Sequence, residues 1–368
     1  MTRSAAALGG LFLAYAVLYY GAQLPDLRHA GDFAALWSYG QVLRTEGAAA
    51  LYNPARLQAL QEALGMPAGQ RNPFPYPPGF LPIVAPLGLF GFGAAFVAWT
   101  GATLGVFVLA CRGRLAWVAL IAPGTTIEVI AGQTGLLSGA LFVGGLRLVG
   151  SRPWLGGALL GLLTFKPQLG LLIPIALVAM RAWRAIGGAL LSTAGLILAG
   201  LLMSGSDTVA LWLGALPAYA TDFAARSVRF GMMPTTLANL LLVGVPHDVA
   251  AVLQGVVAVG AVVLVWRVFR RAADHGPREM LILAAATFLA TPHAFVYDMP
   301  LLTGAALVYG SSGRSWIVAL VLVLPAAMLW SGPIPLSTPV LAGVLAVLIG
   351  LERGSAPSSG TPRRFSTV

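Results

Sequence analysis

The chain has 368 residues, 58% hydrophobic and 9% charged, with a mean hydropathy of +0.84. A water-soluble domain carries about a quarter charged residues, so this composition excludes a soluble globule and specifies a polytopic membrane protein. The formal charge of +10 does not point to nucleic acid, because the cations lie in short connections between apolar stretches and not along one polar face.

Apolar stretches fall at 8–24, 79–111, 115–128, 133–149, 154–166, 167–180, 185–203, 249–266, 279–291, 294–309, 315–330 and 338–351. They predict an all-α membrane protein with about 10–13 transmembrane helices. The first stretch, behind Arg3, reads as a retained helix and not a cleaved signal, since it is long enough to span. Several stretches are shorter than the ~20 residues a perpendicular helix needs, so some helices are tilted or broken. The 79–111 stretch divides at Pro82, Pro86 and Gly88 into a re-entrant piece and a full helix. Starting from Arg3, alternation puts Arg112, Arg114, Arg147, Arg152, Arg181, Arg184, Arg267, Arg270, Arg271 and Arg278 on one side, the cytoplasmic one by the positive-inside rule.

Residues 1–351 then form a single membrane domain with two long extracytoplasmic segments, 25–78 and 204–236, and residues 352–368 form a disordered cytoplasmic tail rich in Ser, Pro and Gly. Within 25–78, Phe33–Arg44 and Pro54–Leu64 read as amphipathic surface helices, with Asn53-Pro54 setting the start of the second. Asn72-Pro73-Phe74-Pro75-Tyr76-Pro77-Pro78 reads as a stiff extended connector back to the membrane. The lone Cys111 permits no intramolecular disulfide.

Among 21 arginines stands one lysine, Lys166, inside the apolar run Leu159 to Leu177. An ionisable group there costs about 2.5–3.5 kcal/mol on insertion scales, which makes it a functional-site candidate. On the alternation it shares the outer side with Asp32, with Glu128 and Gln133, with Gln168, and with His293 and Asp298. The outer turns carry the helix breakers Pro123, Gly124, Gly132, Pro167 and Pro292, and such breaks are tolerated where the chain lines a polar cavity. Each residue also has a plain reading: Asp32 as a helix N-cap, Lys166 snorkelling to headgroups, His293 and Asp298 satisfying backbone at breaks, Glu128 in interfacial water. Their joint placement favours one outward-facing site.

The strings Gly31-Asp32-Phe33 through Gly47 to Leu51-Tyr52-Asn53-Pro54, Phe74-Pro75-Tyr76-Pro77-Pro78 with Pro86-Leu87, Gly132-Gln133-Thr134-Gly135, Phe165-Lys166-Pro167-Gln168, and Thr291-Pro292-His293 with Tyr297-Asp298 resemble, in this order, glycosyltransferase family 87 of the GT-C superfamily, which uses polyprenyl-phosphate mannose. The resemblance covers most of 31–302. It implies a GT-C-type fold and an inverting hexosyltransferase of the bacterial inner membrane with its site facing the periplasm or cell exterior. Asp32 would be the catalytic base and the donor a polyprenyl-phosphate sugar, mannose foremost. Lys166 and His293 would hold the donor phosphate, and Glu128, Gln133, Gln168, Tyr297, Asp298 and Tyr76 are further substrate-site candidates. No cofactor is implied and a metal is not required, although Asp32 with Asp298 remains an open pair for one. Lacking a large soluble domain, the chain is expected to use a lipid, glycolipid or glycan acceptor.

Two other readings stay open. A transporter or lipid flippase also uses broken helices and intramembrane charges, but no internal repeat is visible and the polar residues gather at one leaflet. A non-catalytic scaffold leaves Asp32, Lys166 and His293 without a purpose.

Overall fold

The computed structural model describes residues 32–354 apart from 71, 225, 226, 273, 311–314 and 333, with side chains left undescribed over 220–229 and 351–354. The expected first crossing at 8–24 and nearly all of the tail lie outside the described residues. Among the described residues the regular structure is helical, without strands.

Helices repeatedly open on proline, at Pro123, Pro153, Pro167, Pro277 and Pro300. Proline suits the first helical position, whose amide has no partner, and it pushes the preceding residue out of the helical region. The apolar sequence is thereby cut into short rods. The 79–111 stretch splits into helical turns over Pro78–Leu89 and a helix Phe92–Ala110, and 154–180 splits into Pro153–Leu162, a 3-10 turn Leu163–Phe165, Pro167–Gly170 and Ile173–Ala179.

Among the described residues three helices are long and apolar enough to cross a membrane: Phe92–Ala110, Trp183–Ser204 and His247–Arg271. Only 17%, 11% and 22% of their apolar windows are buried within the protein, so most of their greasy surface faces outward, as a lipid solvent requires. The opposite holds at the centre. Every residue from Glu279 to Ala290 of the helix Pro277–Ala290, and from Pro300 to Tyr309 of Pro300–Gly310, is buried, so these short apolar rods form the core that the longer ones surround.

Glycines set how closely the rods approach. The helix Pro153–Leu162 lies between Gly135–Val149 and Trp183–Ser204. A Cβ on Gly157 would fall 1.8 Å from the Ala185 carbonyl oxygen, one on Gly161 2.3 Å from that of Ala189, and one on Gly188 2.2 Å from that of Trp154. This is the small-residue packing that membrane helices use in place of a hydrophobic drive.

The two ends of the bundle differ. At one end Arg147 donates to the carbonyls of Arg112 (2.7 Å) and Ala110 (3.4 Å), and Arg278 donates to that of Leu348 (2.9 Å), cations meeting helix C-termini as the dipole favours. The helix Gly135–Val149 runs from the Gln133 turn to this arginine end, about 22 Å at 1.5 Å per residue. The arginines and the outer-turn residues therefore occupy opposite ends.

The segment 25–78 holds the helices Phe33–Glu46 and Pro54–Ala63, the latter capped by Asn53, whose side chain accepts from the Arg56 amide at 3.1 Å. The segment 204–236 contains the helix Asp207–Ala224 and a 3-10 turn Ser227–Met232. The last helix, Ser337–Gly354, runs past the boundary expected at 351.

Candidate functional site

Lys166 precedes Pro167, and its backbone is accordingly non-helical (φ −133°, ψ 69°). The break lifts the side chain off both flanking rods into a buried cluster. Its ammonium bonds to the Asp298 carboxylate and to Thr134 Oγ1 (3.1 Å), and it lies 5.1 Å from the centre of the Tyr297 ring. Lysine and aspartate are 5% and 1% exposed. An ammonium carries three donors, so two fixed partners leave one N–H to meet a ligand.

Asp298 ends a 3-10 turn, Val296–Asp298, and its second oxygen accepts from the Phe295 amide at 3.0 Å. It therefore pairs the lysine and satisfies the helix break together, joining the two readings that the sequence kept apart. Both oxygens are engaged, and among the described residues no three His, Cys, Asp or Glu side chains gather as metal ligands.

The Gly132–Gly135 turn is clamped from several sides. Gly132 takes a left-handed conformation (φ 64°) that ends the helix Pro123–Ala131. Glu128 Oε1 accepts from the Gly135 amide at 2.7 Å, Trp99 Nε1 donates to the Gln133 carbonyl at 2.9 Å, and Thr134 receives Lys166. Gly135 also touches the far side of the site, where a Cβ would fall 1.8 Å from the Tyr297 carbonyl oxygen. Glu128, 1% exposed, is thus a buried carboxylate and not one in interfacial water.

Asp32 stands at the start of Phe33–Glu46 but makes no capping bond to it, which removes the N-cap reading. It lies within electrostatic reach of Tyr39, Tyr76 and Tyr297, and the tyrosines at 76 and 297 also feel Asp298 and Glu128. His293 is half-buried, edge-on to Phe295 with centroids 5.4 Å apart, and feels both Asp298 and Lys166. Tyr76 stacks on Phe80 at 3.9 Å, and Phe80 sits 5.6 Å from Phe165, the neighbour of Lys166. Asp32, Tyr76, Glu128, Lys166, His293, Tyr297 and Asp298 therefore converge, with Gln133 on the same turn as Thr134. Gln168 is half-buried on Pro167–Gly170 and makes none of the cluster's hydrogen bonds.

Thr134 and Trp99 were not singled out from the sequence. Thr134 lay within a quoted motif, and its hydroxyl between a Gln and a Gly at a helix break was the available signal; nothing local marks Trp99 as a partner of Gln133.

The connector Asn72–Pro78 forms one wall. Prolines deprive it of amide donors, and its carbonyls are bonded by side chains instead: Pro73 by Tyr39 (2.6 Å), Asn72 by Gln61 (3.0 Å), Tyr76 by Tyr52 (3.1 Å) and Pro75 by Trp212 (3.1 Å). Burial holds the Tyr39 phenol well above its ordinary pKa, so it remains a donor. Trp212 joins the two long outer segments at this wall.

No curated protein and no solved structure matches the chain. A family model does: glycosyltransferase family 87 matches residues 74–292, a span that includes Tyr76, Glu128, Gln133, Lys166 and Gln168 and leaves Asp32, His293, Tyr297 and Asp298 outside. Since that span is more than half of the sequence, the chain belongs to glycosyltransferase family 87, and it is a membrane-embedded glycosyltransferase.

Proposed function

We propose that the protein is an inverting transferase that moves a sugar, mannose first among candidates, from a polyprenyl-phosphate donor to a lipid, glycolipid or glycan acceptor at the outer face of a bacterial plasma membrane. The observation that carries this reading is the meeting of the Asp32 carboxylate, within electrostatic reach of Tyr76 and Tyr297, with the buried Lys166–Asp298 pair at one end of the bundle.

In this reading the acceptor hydroxyl attacks the anomeric carbon from the face opposite the phosphate. Asp32 takes the hydroxyl proton as the new C–O bond forms, and the old bond from the anomeric carbon to the phosphate oxygen breaks with its electron pair leaving on polyprenyl phosphate. A positioned base contributes ~10²–10⁴-fold. The third N–H of Lys166 meets the charge developing on the phosphate, and His293, in the field of the same Lys166 and Asp298, adds to it when protonated. Tyr76 and Tyr297 share the electrostatic field of Asp32 and Asp298, and Gln168, two residues after Lys166, is assigned to the donor's lipid side.

The test is transfer of label from polyprenyl-phosphate mannose to a lipid extract by purified protein in nanodiscs, wild type against Asp32→Asn. Transfer by wild type alone supports the enzyme and the base together. Equal turnover by both would remove Asp32 from that role. With no mannose transfer, donors bearing arabinose, glucose and galactose replace it, and failure of all four overturns the donor class.

A further inference from the structure

Two buried oxygens beside the Lys166 cluster have no hydrogen-bond partner: Glu128 Oε2 and Gln133 Oε1. The two residues are 1% and 7% exposed. A buried acceptor left unpaired is costly, and here the cost is borne next to atoms that are otherwise well satisfied. The other Glu128 oxygen holds the Gly135 amide, the Gln133 carbonyl is held by Trp99, and Thr134 between them is held by Lys166. The turn is rigid, and these two oxygens are what it leaves open.

The chemistry of the two sides of the cluster is complementary. Lys166 offers a donor, which suits a phosphate, an acceptor-only group. Glu128 and Gln133 offer acceptors, which suit hydroxyls. A sugar phosphate presents both within one small molecule. We infer that Glu128 and Gln133 form the subsite that reads the hydroxyls of the donor sugar, Glu128 Oε2 accepting from one and Gln133 Oε1 from another, while Lys166 holds the phosphate. With the Gln133 amide turned over, its NH₂ meets a hydroxyl oxygen, and the pairing survives. This assignment rests on the cluster being the donor pocket.

The test uses the full chain in nanodiscs. The polyprenyl-phosphate sugar that wild type accepts is compared with its single-deoxy analogues, for wild type, Glu128→Gln and Gln133→Leu. Glu128→Gln keeps an oxygen for the Gly135 amide and turns the open acceptor into a donor; Gln133→Leu removes the open acceptor and leaves the main-chain bond to Trp99. For wild type, kcat/KM falls about 10- to 100-fold on at least one deoxy donor. In Gln133→Leu that discrimination collapses to within a few-fold at the hydroxyl it reads, because that hydroxyl has no partner to lose. In Glu128→Gln, whose NH₂ pairs with a hydroxyl oxygen but no longer accepts its proton, the deoxy ratio moves away from that of wild type. A variant that merely misfolds loses activity on every donor alike and keeps the wild-type ratio. Unchanged ratios in both variants therefore overturn the subsite, with the open oxygens serving bound water only, and leave the transferase standing. A folded wild type that transfers from no donor overturns the donor pocket and the subsite with it.

Discussion

Lys166 and Asp298, 132 residues apart in sequence, form an ion pair buried where the breaks at Pro167 and Pro300 meet. Removing one member of a buried pair strands the other without solvent, at about 3–5 kcal/mol. Lys166→Ala and Asp298→Ala are each expected to lower the thermal unfolding midpoint in detergent strongly, and Lys166→Met with Asp298→Leu to recover much of the loss. The check is a double-mutant cycle on unfolding midpoints. If each single change costs under about 1 kcal/mol, the pair carries no structural weight.

How much of this was legible beforehand follows from the physics of each residue. The positions of helix breaks were written in Pro123, Pro167 and Pro292, and the cap at Asn53 in the Asn-Pro pair, because both act within a few residues. Lys166 declared itself by its cost in an apolar run. Its partner did not: Asp298 was visible as a polar residue at another turn, but nothing in either local sequence fixes which outer turns touch. The same holds for Trp99 with Gln133 and Trp212 with Pro75, each pairing created by tertiary packing. Proline and glycine explain why a 13-residue stretch such as 167–179 folds as two separate short helices, a division that hydropathy alone leaves unmarked.

The close seam between Pro153–Leu162 and Trp183–Ser204 is expected to tolerate no side chain at Gly157. Even a methyl group there overlaps the Ala185 carbonyl oxygen at 1.8 Å, and relief requires the rods to separate. Gly157→Ala should cost about 1–3 kcal/mol or more. Gly101→Ala and Gly195→Ala, on long helices where a Cβ meets nothing within 4 Å, should be neutral or stabilise by about 0.5–1 kcal/mol. Unfolding midpoints and folded yield of the three variants decide; equal behaviour would show that the seam is looser than described.

Glu62 supplies a pH dependence outside the membrane rods. It accepts from Gln58 Nε2 (3.0 Å) and from the Gly69 amide (2.9 Å), and these bonds hold its carboxyl below the ordinary value. A group lowered in the folded state contributes above its unfolded pKa, about 4.3 for glutamate, and the contribution fades as pH falls through the lower folded value. The turn from Gly65 to Gln70 should therefore loosen only in acid, and Glu62→Gln should remove that pH dependence. The Gly69 amide shift, followed from pH 6 to pH 3 in both proteins, reads it; a shift in Glu62→Gln that matches wild type would mean another group is titrating.

The connector links the outer segments to the chemistry through packed rings. Trp212 donates to Pro75, Tyr76 stacks on Phe80, and Phe80 meets Phe165 beside Lys166. Trp212→Phe keeps the ring bulk and removes one hydrogen bond, so its cost in stability should stay within about 0.5–1.5 kcal/mol. Its effect on protection should be local. Without that bond the helix Asp207–Ala224 keeps its own backbone ladder but loses its polar tie to the wall of the site. Hydrogen exchange is expected to rise across 207–219 and 74–76 while Pro277–Ala290 stays protected, since every residue of that helix from Glu279 on is buried. Tyr39→Phe provides the contrast, because it frees the Pro73 carbonyl and leaves that of Asn72 to Gln61 without touching the Trp212 contact, and should raise exchange near 72–74 alone. If both variants loosen the same residues, the connector moves as one unit, and the two anchors are a single mechanical element.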